Sequence, residues 1–284
     1  MKKILITSTS FQDTPGRHAT YIEKQNFDIT YLRGPLNADV LEPIIGDFDG
    51  IICGDDEIDK NVIKKASNGK LRVISKYGIG LDKIDLNAAK EFGIPITNCP
   101  GVNHITVSEH VFALLLTYYK NIHLEYNYTK NGNWTRLIGT EMYKKKLAIL
   151  GLGRIGKEVA IRAKAFGLEV FAYDLFIDND FVGKYNINVL GNLEDAFICC
   201  DIITLHMNLT DDNKKIINFS LLKKMNANSI VLVNTARGDL VDMKALLKGL
   251  DDNKIKAYLT DVLEIEPMPK NHPLINKKNV IITP

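Results

Sequence analysis

Lys146-Leu147-Ala148-Ile149-Leu150 runs without a break into Gly151-Leu152-Gly153-Arg154-Ile155-Gly156, and then into the helical pattern Lys157–Phe166. No other stretch of the chain restricts the fold so strongly. An apolar run that ends in G-x-G-x-x-G and opens a helix is a strand–turn–helix unit that cradles a dinucleotide. Gly151 permits the tight turn, Gly153 lets backbone amides approach a pyrophosphate, and Gly156 lets helix and strand pack closely. The helix N-terminus then faces the phosphate charge. The next predicted strand, Glu169–Tyr173, ends at Asp174, 18 residues after Gly156, where a carboxylate accepts hydrogen bonds from a ribose 2′-OH. Leu175 and Phe176 follow, with no Arg or Lys to welcome a 2′-phosphate, so the pattern predicts NAD rather than NADP.

Around this unit, short Val- and Ile-rich runs alternate with longer amphipathic stretches such as Val107–Lys120. The runs are Lys3–Thr7, Gly50–Cys53, Arg72–Ser75, Ile94–Asn98, Lys146–Leu150, Glu169–Tyr173, Ile202–Leu205, Ile230–Asn234, Ala257–Thr260 and Val280–Thr283. Strand–helix–strand alternation implies parallel sheets with right-handed crossovers, hence an α/β, doubly wound architecture. Ten strands are many for one open sheet, and Asn98-Cys99-Pro100-Gly101 punctuates the chain after the fourth. A hinge there gives two parallel-sheet domains, residues 1–98 and 99–284, the second carrying the dinucleotide site.

Composition narrows the function classes. Thirty-six basic and 34 acidic residues leave +2 over 284 residues, too weak a field to argue for nucleic acid or an anionic membrane. The start offers three apolar residues before Thr7, where a secretory core needs ~7–15. Apolar runs such as Val111–Leu116 fall short of the about 18 residues that span a bilayer. Cys53, Cys99, Cys199 and Cys200 form no C-x-x-C pair and no zinc-spaced cluster, so no metal site is expected. They read as buried reduced thiols of a cytoplasmic protein. Tyr126 and Lys130 have the Tyr-x-x-x-Lys spacing of short-chain dehydrogenases but precede the nucleotide unit, and read as a solvated helix face.

In open α/β sheets, ligands sit beyond the carboxyl ends of the strands. Ile230–Asn234 leads into Thr235-Ala236-Arg237-Gly238-Asp239, and Ala257–Thr260 into Asp261-Val262-Leu263-Glu264-Ile265-Glu266-Pro267. An arginine at a strand end can grip a carboxylate bidentately and orient a small acid. A carboxylate nearby can hold a partner imidazole and raise its pKa. Taken singly, Arg237 reads equally well as a surface ion pair and Glu266 as a loop charge.

Together these residues make the chain similar to the D-2-hydroxyacid dehydrogenases, especially the phosphoglycerate dehydrogenase-like branch. The resemblance runs through Ile74–Asp85, Asn98–Gly101, Val107–His110, Gly132–Trp134, Gly151–Gly156, Asn234–Gly238, Asp261–Pro267 and His272–Leu274. It implies a flavodoxin-like substrate domain and a Rossmann NAD-binding domain. The activity it implies is hydride transfer between NAD and a D-2-hydroxy acid or its 2-keto acid, with 3-phosphoglycerate as one candidate. By resemblance, Arg237 binds the substrate carboxylate and polarises the carbonyl, and Glu266 pairs with the catalytic histidine. Asp261 meets the nicotinamide carboxamide, Thr235 and Ala236 line the ring, and Arg154 and Ile155 offer amides to the pyrophosphate. Gly78, Ile79 and Gly80 present backbone N–H groups to the substrate carboxylate. Ile79, Ser108 and Met207 are further candidate cofactor contacts. The helix Val107–Lys120 and the aromatic-rich segment Tyr126–Trp134 resemble the family's dimerisation region, implying a homodimer.

The chain also departs from the family pattern. The acid/base histidine is expected directly after a strand ending Thr-Pro, here Val280–Pro284, which sets it just beyond the given residues together with a helix returning to the substrate domain. Of the histidines present, His272 reads as a solvated loop residue, His206 as a residue near the cofactor, and His104 and His110 as helix-packing or cleft residues. Met207-Asn208 replaces a Pro-containing segment beside the adenosine. Gly54-Asp55-Asp56-Glu57 occupies a loop where phosphoglycerate enzymes often carry arginine, and it repels a phosphate unless Lys76 or Lys83 compensates. The alternative function is an NAD-sensing binding protein of the same fold, like the dehydrogenase-related corepressors.

Overall fold

The computed structural model describes residues 1–225 and 229–284. The chain divides into two compact units, Met1–Val102 and Asn103–Pro284, so the division falls at 102/103 where the punctuation of the sequence suggested 98/99. In the first unit, β1 (Lys2–Ile6), β2 (Phe27–Tyr31), β3 (Gly50–Cys53), β4 (Val73–Lys76) and β5 (Ile96–Thr97) form a parallel sheet in the order β2-β1-β3-β4-β5. That is the flavodoxin-like strand order.

The second unit is built on β6 (Lys146–Leu150), β7 (Glu169–Tyr173), β8 (Asn188–Val189), β9 (Ile202–Leu205), β10 (Ile230–Asn234), β11 (Ile255–Thr260) and β12 (Val280–Ile282). All pair in parallel, in the order β12-β11-β10-β9-β6-β7-β8. The order reverses between β6 and β9, the switch point at which doubly wound sheets hold their ligands. Successive side chains of a strand point to opposite faces, and here both faces are covered. Ala148, Leu150, Ile203, Leu205 and Leu232 pack into one apolar layer, and Leu147, Ile149, Ile202, Val231, Val233 and Leu259 into the other. A third cluster, including Leu5, Ile51, Val62 and Ile74, is the core of the first unit.

The sequence pattern missed β2 and β8. Both are edge strands paired on one side, and β8 is two exposed residues long, so neither carries the buried apolar run that marks the central strands. Of the four thiols, Cys53 and Cys200 are buried, while Cys99 and Cys199 are half-buried, and all are free. Burial pushes the Cys53 thiol up to about 12, leaving it protonated and unreactive. Tyr126 and Lys130 lie on the helix Ile122–Lys130, the ammonium 5.8 Å from the centre of the exposed ring. Among the described residues, no helix is long and apolar enough to cross a membrane, and no group of three His, Cys, Asp or Glu could hold a metal ion.

Candidate functional site

β6 delivers its glycine turn into the switch point. Gly151 sits at φ +102°, in the region that favours glycine, and a Cβ there would lie 2.6 Å from the His206 carbonyl carbon and 2.8 Å from Met207 N. Gly156 is packed against the Gly151 carbonyl, leaving no room for a side chain. Gly153 differs: a Cβ there would meet nothing within 4 Å. It is the N-cap of the helix Arg154–Ala165 and contributes no side-chain bond to the first turn, so those amides are left for an external anion. Asp174, at the end of β7, accepts from Leu152 N at 2.6 Å and from Phe176 N at 3.0 Å. These two bonds fix its carboxylate beside the turn, with lone pairs to spare for ribose hydroxyls.

Among the described residues, three neighbouring strands end in buried polar atoms that lack partners. His206 Nδ1 follows β9, Thr235 Oγ1 follows β10, and Asp261 Oδ1 follows β11. Buried polar groups are almost always hydrogen-bonded, so three adjacent exceptions on one sheet edge mark a place that a polar ligand completes. His206 donates or accepts at 2.9 Å with Thr204 Oγ1, and burial pushes its pKa down to about 3, so the ring is neutral. Burial raises the Asp261 carboxyl above the ordinary range, opposed by His110, whose Nε2 lies 3.9 Å from Asp261 Oδ2.

Asn234 shapes the turn that carries Arg237. Fully buried, it donates from Nδ2 to the Arg237 carbonyl at 2.9 Å and accepts at Oδ1 from Ala236 N at 3.1 Å. Arg237 itself is half-buried, and its Nη1 donates to the Ala236 carbonyl at 2.7 Å. Gly238 then packs directly on the Leu263–Glu264 peptide, with no space for a Cβ. In the same loop Glu266 Oε1 accepts from Leu263 N at 2.7 Å. Arg237 and Glu266 therefore belong to two loops pressed together at a glycine.

Two expectations need correction. His272 is not a solvated loop residue: it is buried, its Nε2 is 3.4 Å from Glu264 Oε1, and its Nδ1 accepts from Leu274 N at 3.4 Å, stitching the Asp261–Pro267 loop to the His272–Leu274 turn. Ser108 is fully buried and donates to the Ile105 carbonyl at 2.6 Å, so its hydroxyl serves its own helix rather than a ligand. Met207, half-buried, packs on the core layer beneath β9. Ile155 packs on the opposite layer, leaving only its backbone amide for an anion.

In the first unit, Gly78, Ile79 and Gly80 follow β4. Cys99 N donates to the Gly78 carbonyl at 2.9 Å, and Asn98 Nδ2 to the Ile79 carbonyl at 2.8 Å. In a trans peptide the N–H points opposite to the C=O, so these anchors turn the Ile79 and Gly80 amides away from residues 98–99. That presents two donors on one side of the loop.

A glycine cradle at the switch point, an anchored carboxylate on the second strand and open polar valences on the next ends define a dinucleotide-binding protein of the doubly wound class. Residues 112–284 match the model of the D-isomer specific 2-hydroxyacid dehydrogenase family, NAD binding domain. The chain is 36% identical over its whole length to D-3-phosphoglycerate dehydrogenase of Methanocaldococcus jannaschii, of which it covers 53%. It is 34% identical over 96% of its length to glyoxylate reductase of Korarchaeum cryptofilum, covering 83% of that protein. Among solved structures it resembles D-lactate dehydrogenase from Aquifex aeolicus complexed with NAD and lactic acid. There the TM-score is 0.83 at 27% identity, covering 99% of this chain and 87% of that one. The chain belongs to the D-isomer specific 2-hydroxyacid dehydrogenase family, and its cofactor is NAD. It spans about half the length of phosphoglycerate dehydrogenase relatives such as those of Methanocaldococcus and Archaeoglobus fulgidus.

Proposed function

We propose that the protein is an NAD-dependent oxidoreductase that interconverts a D-2-hydroxy acid and its 2-keto acid. The observation that carries this reading is the half-buried Arg237 flanked by the unpartnered Thr235 Oγ1 and Asp261 Oδ1. A guanidinium beside open polar valences suits a small carboxylate set against a cofactor ring. Bound NAD supplies the hydride acceptor or donor, at nicotinamide C4.

The chain's own residues divide the remaining work. The Gly151–Gly156 turn and the amides of Arg154 and Ile155 hold the pyrophosphate, and Asp174 takes the ribose. Asp261, with Thr235 and Ala236, orients the ring through its carboxamide. Arg237 grips the substrate carboxylate and polarises the carbonyl. In the first unit, taken by itself, the Ile79 and Gly80 amides, with Gly78 shaping the loop, are donors suited to a carboxylate. Glu266 is the carboxylate suited to orient an acid/base imidazole. A homodimer and a cytoplasmic location complete the reading, with Trp134 at 92% and Ile138 at 95% exposure supporting a second copy as partner.

The test is NADH oxidation by a panel of 2-keto acids. Turnover that falls at least about 10²-fold in R237A is the expected result. NADH binding without turnover on any 2-keto acid refutes the oxidoreductase and leaves an NAD-sensing protein.

A further inference from the structure

The carboxyl ends of the first unit's strands carry a charge arrangement that the reaction itself does not require. In this strand order the ligand crevice lies between β1 and β3, and here the chain fills it with its own carboxylate. Asp56, fully buried, accepts from Thr7 Oγ1 at 2.6 Å, Leu36 N at 2.7 Å and Gly54 N at 2.8 Å. What stays accessible is the neighbouring edge, between the ends of β3 and β4, where Asp55, Lys76 and the Gly78 loop meet.

Lys76 is the last residue of β4, and its side chain is only 5% exposed. Its ammonium donates to Asp55 Oδ1 at 2.6 Å and to the Gly54 carbonyl. Its Cε lies 3.2 Å from where a Gly78 Cβ would be, so the charge sits against the loop that offers amides to a carboxylate. A buried ammonium needs a counter-charge, and Asp55, 69% exposed, supplies it from the solvent side. Arg33, two residues past β2, is likewise held, bidentate to Asp13 at 2.6 and 2.9 Å. A group extending from the loop-bound acid toward this edge therefore meets a neutral pair with its carboxylate outermost, beside the buried Asp56.

We propose that the first unit selects a 2-hydroxy or 2-keto acid whose far end is uncharged over one ending in a phosphate, and that the Asp55–Lys76 pair sets this selectivity. The inference rests on the oxidoreductase reading and narrows its substrate class. A phosphate dianion would have to displace Asp55 from Lys76 or stand against it unscreened. An uncharged end leaves the pair undisturbed. Neutralising Asp55 frees the ammonium for an anionic substituent while leaving Lys76, Asp56 and the loop in place.

The experiment is calorimetric titration of the protein with D-glycerate and with 3-phospho-D-glycerate in the presence of NADH, where a hydroxy acid binds without turning over. The wild type is expected to bind D-glycerate at least tenfold more tightly. D55N is expected to narrow that ratio at least tenfold by strengthening 3-phosphoglycerate, with D-glycerate changed less than threefold. Tighter binding of 3-phosphoglycerate by the wild type overturns the proposal, and an unchanged ratio in D55N overturns the role of the pair. If NADH binds and neither acid does, the oxidoreductase reading fails and the proposal falls with it, an outcome distinct from binding without discrimination.

Discussion

His110 Nε2 lies 3.0 Å from Thr283 Oγ1, fastening the helix His104–Tyr119 to the residue just past β12. The same nitrogen is 3.9 Å from Asp261 Oδ2, so one imidazole faces the ends of two adjacent strands. His110 opposes the burial that raises the Asp261 carboxyl. Replacing His110 by Ala removes that opposition, and the Asp261 carboxyl moves further up. The acid limb of the pH profile for NADH binding is expected to shift to higher pH in H110A, read by nucleotide fluorescence titration. H110A should also lose about 1 kcal/mol of stability with the Thr283 bond.

His206 gives a prediction on acid stability. Its pKa is about 3 in the fold against 6.5 for an ordinary histidine. A depressed imidazole leaves the unfolded chain binding the extra proton, so its contribution is present above pH 6.5 and is lost as pH falls toward 3. Between those limits the slope from this residue approaches about 1.4 kcal/mol per pH unit. Denaturant unfolding from pH 7 to pH 4.5 should show wild type losing more stability than H206N, which lacks the titrating ring.

The three glycines of the turn should fail in different ways. G156A drives a methyl into the Gly151 carbonyl and is expected to cost about 3 kcal/mol, visible as a lowered thermal midpoint. G153A meets nothing and should leave the midpoint within about 0.5 kcal/mol of wild type. Its methyl stands where the pyrophosphate approaches, so NADH affinity should fall about tenfold or more. Parallel melting curves and titrations separate the two effects.

Trp134 and Ile138 test the proposed homodimer. A charge at either, as in W134R or I138R, should yield monomer in sedimentation velocity at concentrations where the wild type is dimeric. The far-ultraviolet circular dichroism should be unchanged, because neither side chain is buried in the fold.

The central strands were legible because burial on both faces writes itself as a nearly unbroken apolar run, as in β6, β9 and β10, which were predicted to the residue; β7 alternates with its pleat and was predicted as well. β2 and β8 were not, since an edge strand needs no such run. In the site, glycines and charged residues at strand ends stood out because chemistry restricts those positions. The contact of His110 with Thr283 did not, because it spans 173 positions and nothing local announces it. His272 misled for a related reason. Its sequence neighbours are loop-like, and only tertiary packing brings Glu264 to its ring. Asp55 and Lys76 were visible as charges, but their pairing is a property of the folded chain.

Gly238 presses the Arg237 loop onto the Leu263–Glu264 peptide with no intervening side chain. The two loops are consequently in backbone contact. A change that repositions Arg237 also displaces the stretch leading to Glu266, so the roles proposed for them, the grip on the carboxylate and the handling of the proton, are coupled. On the proposed reading, new substrate ranges are reached more easily by varying Asp55 and its neighbours, which hold no part of that joint, than by altering Arg237 or Glu266.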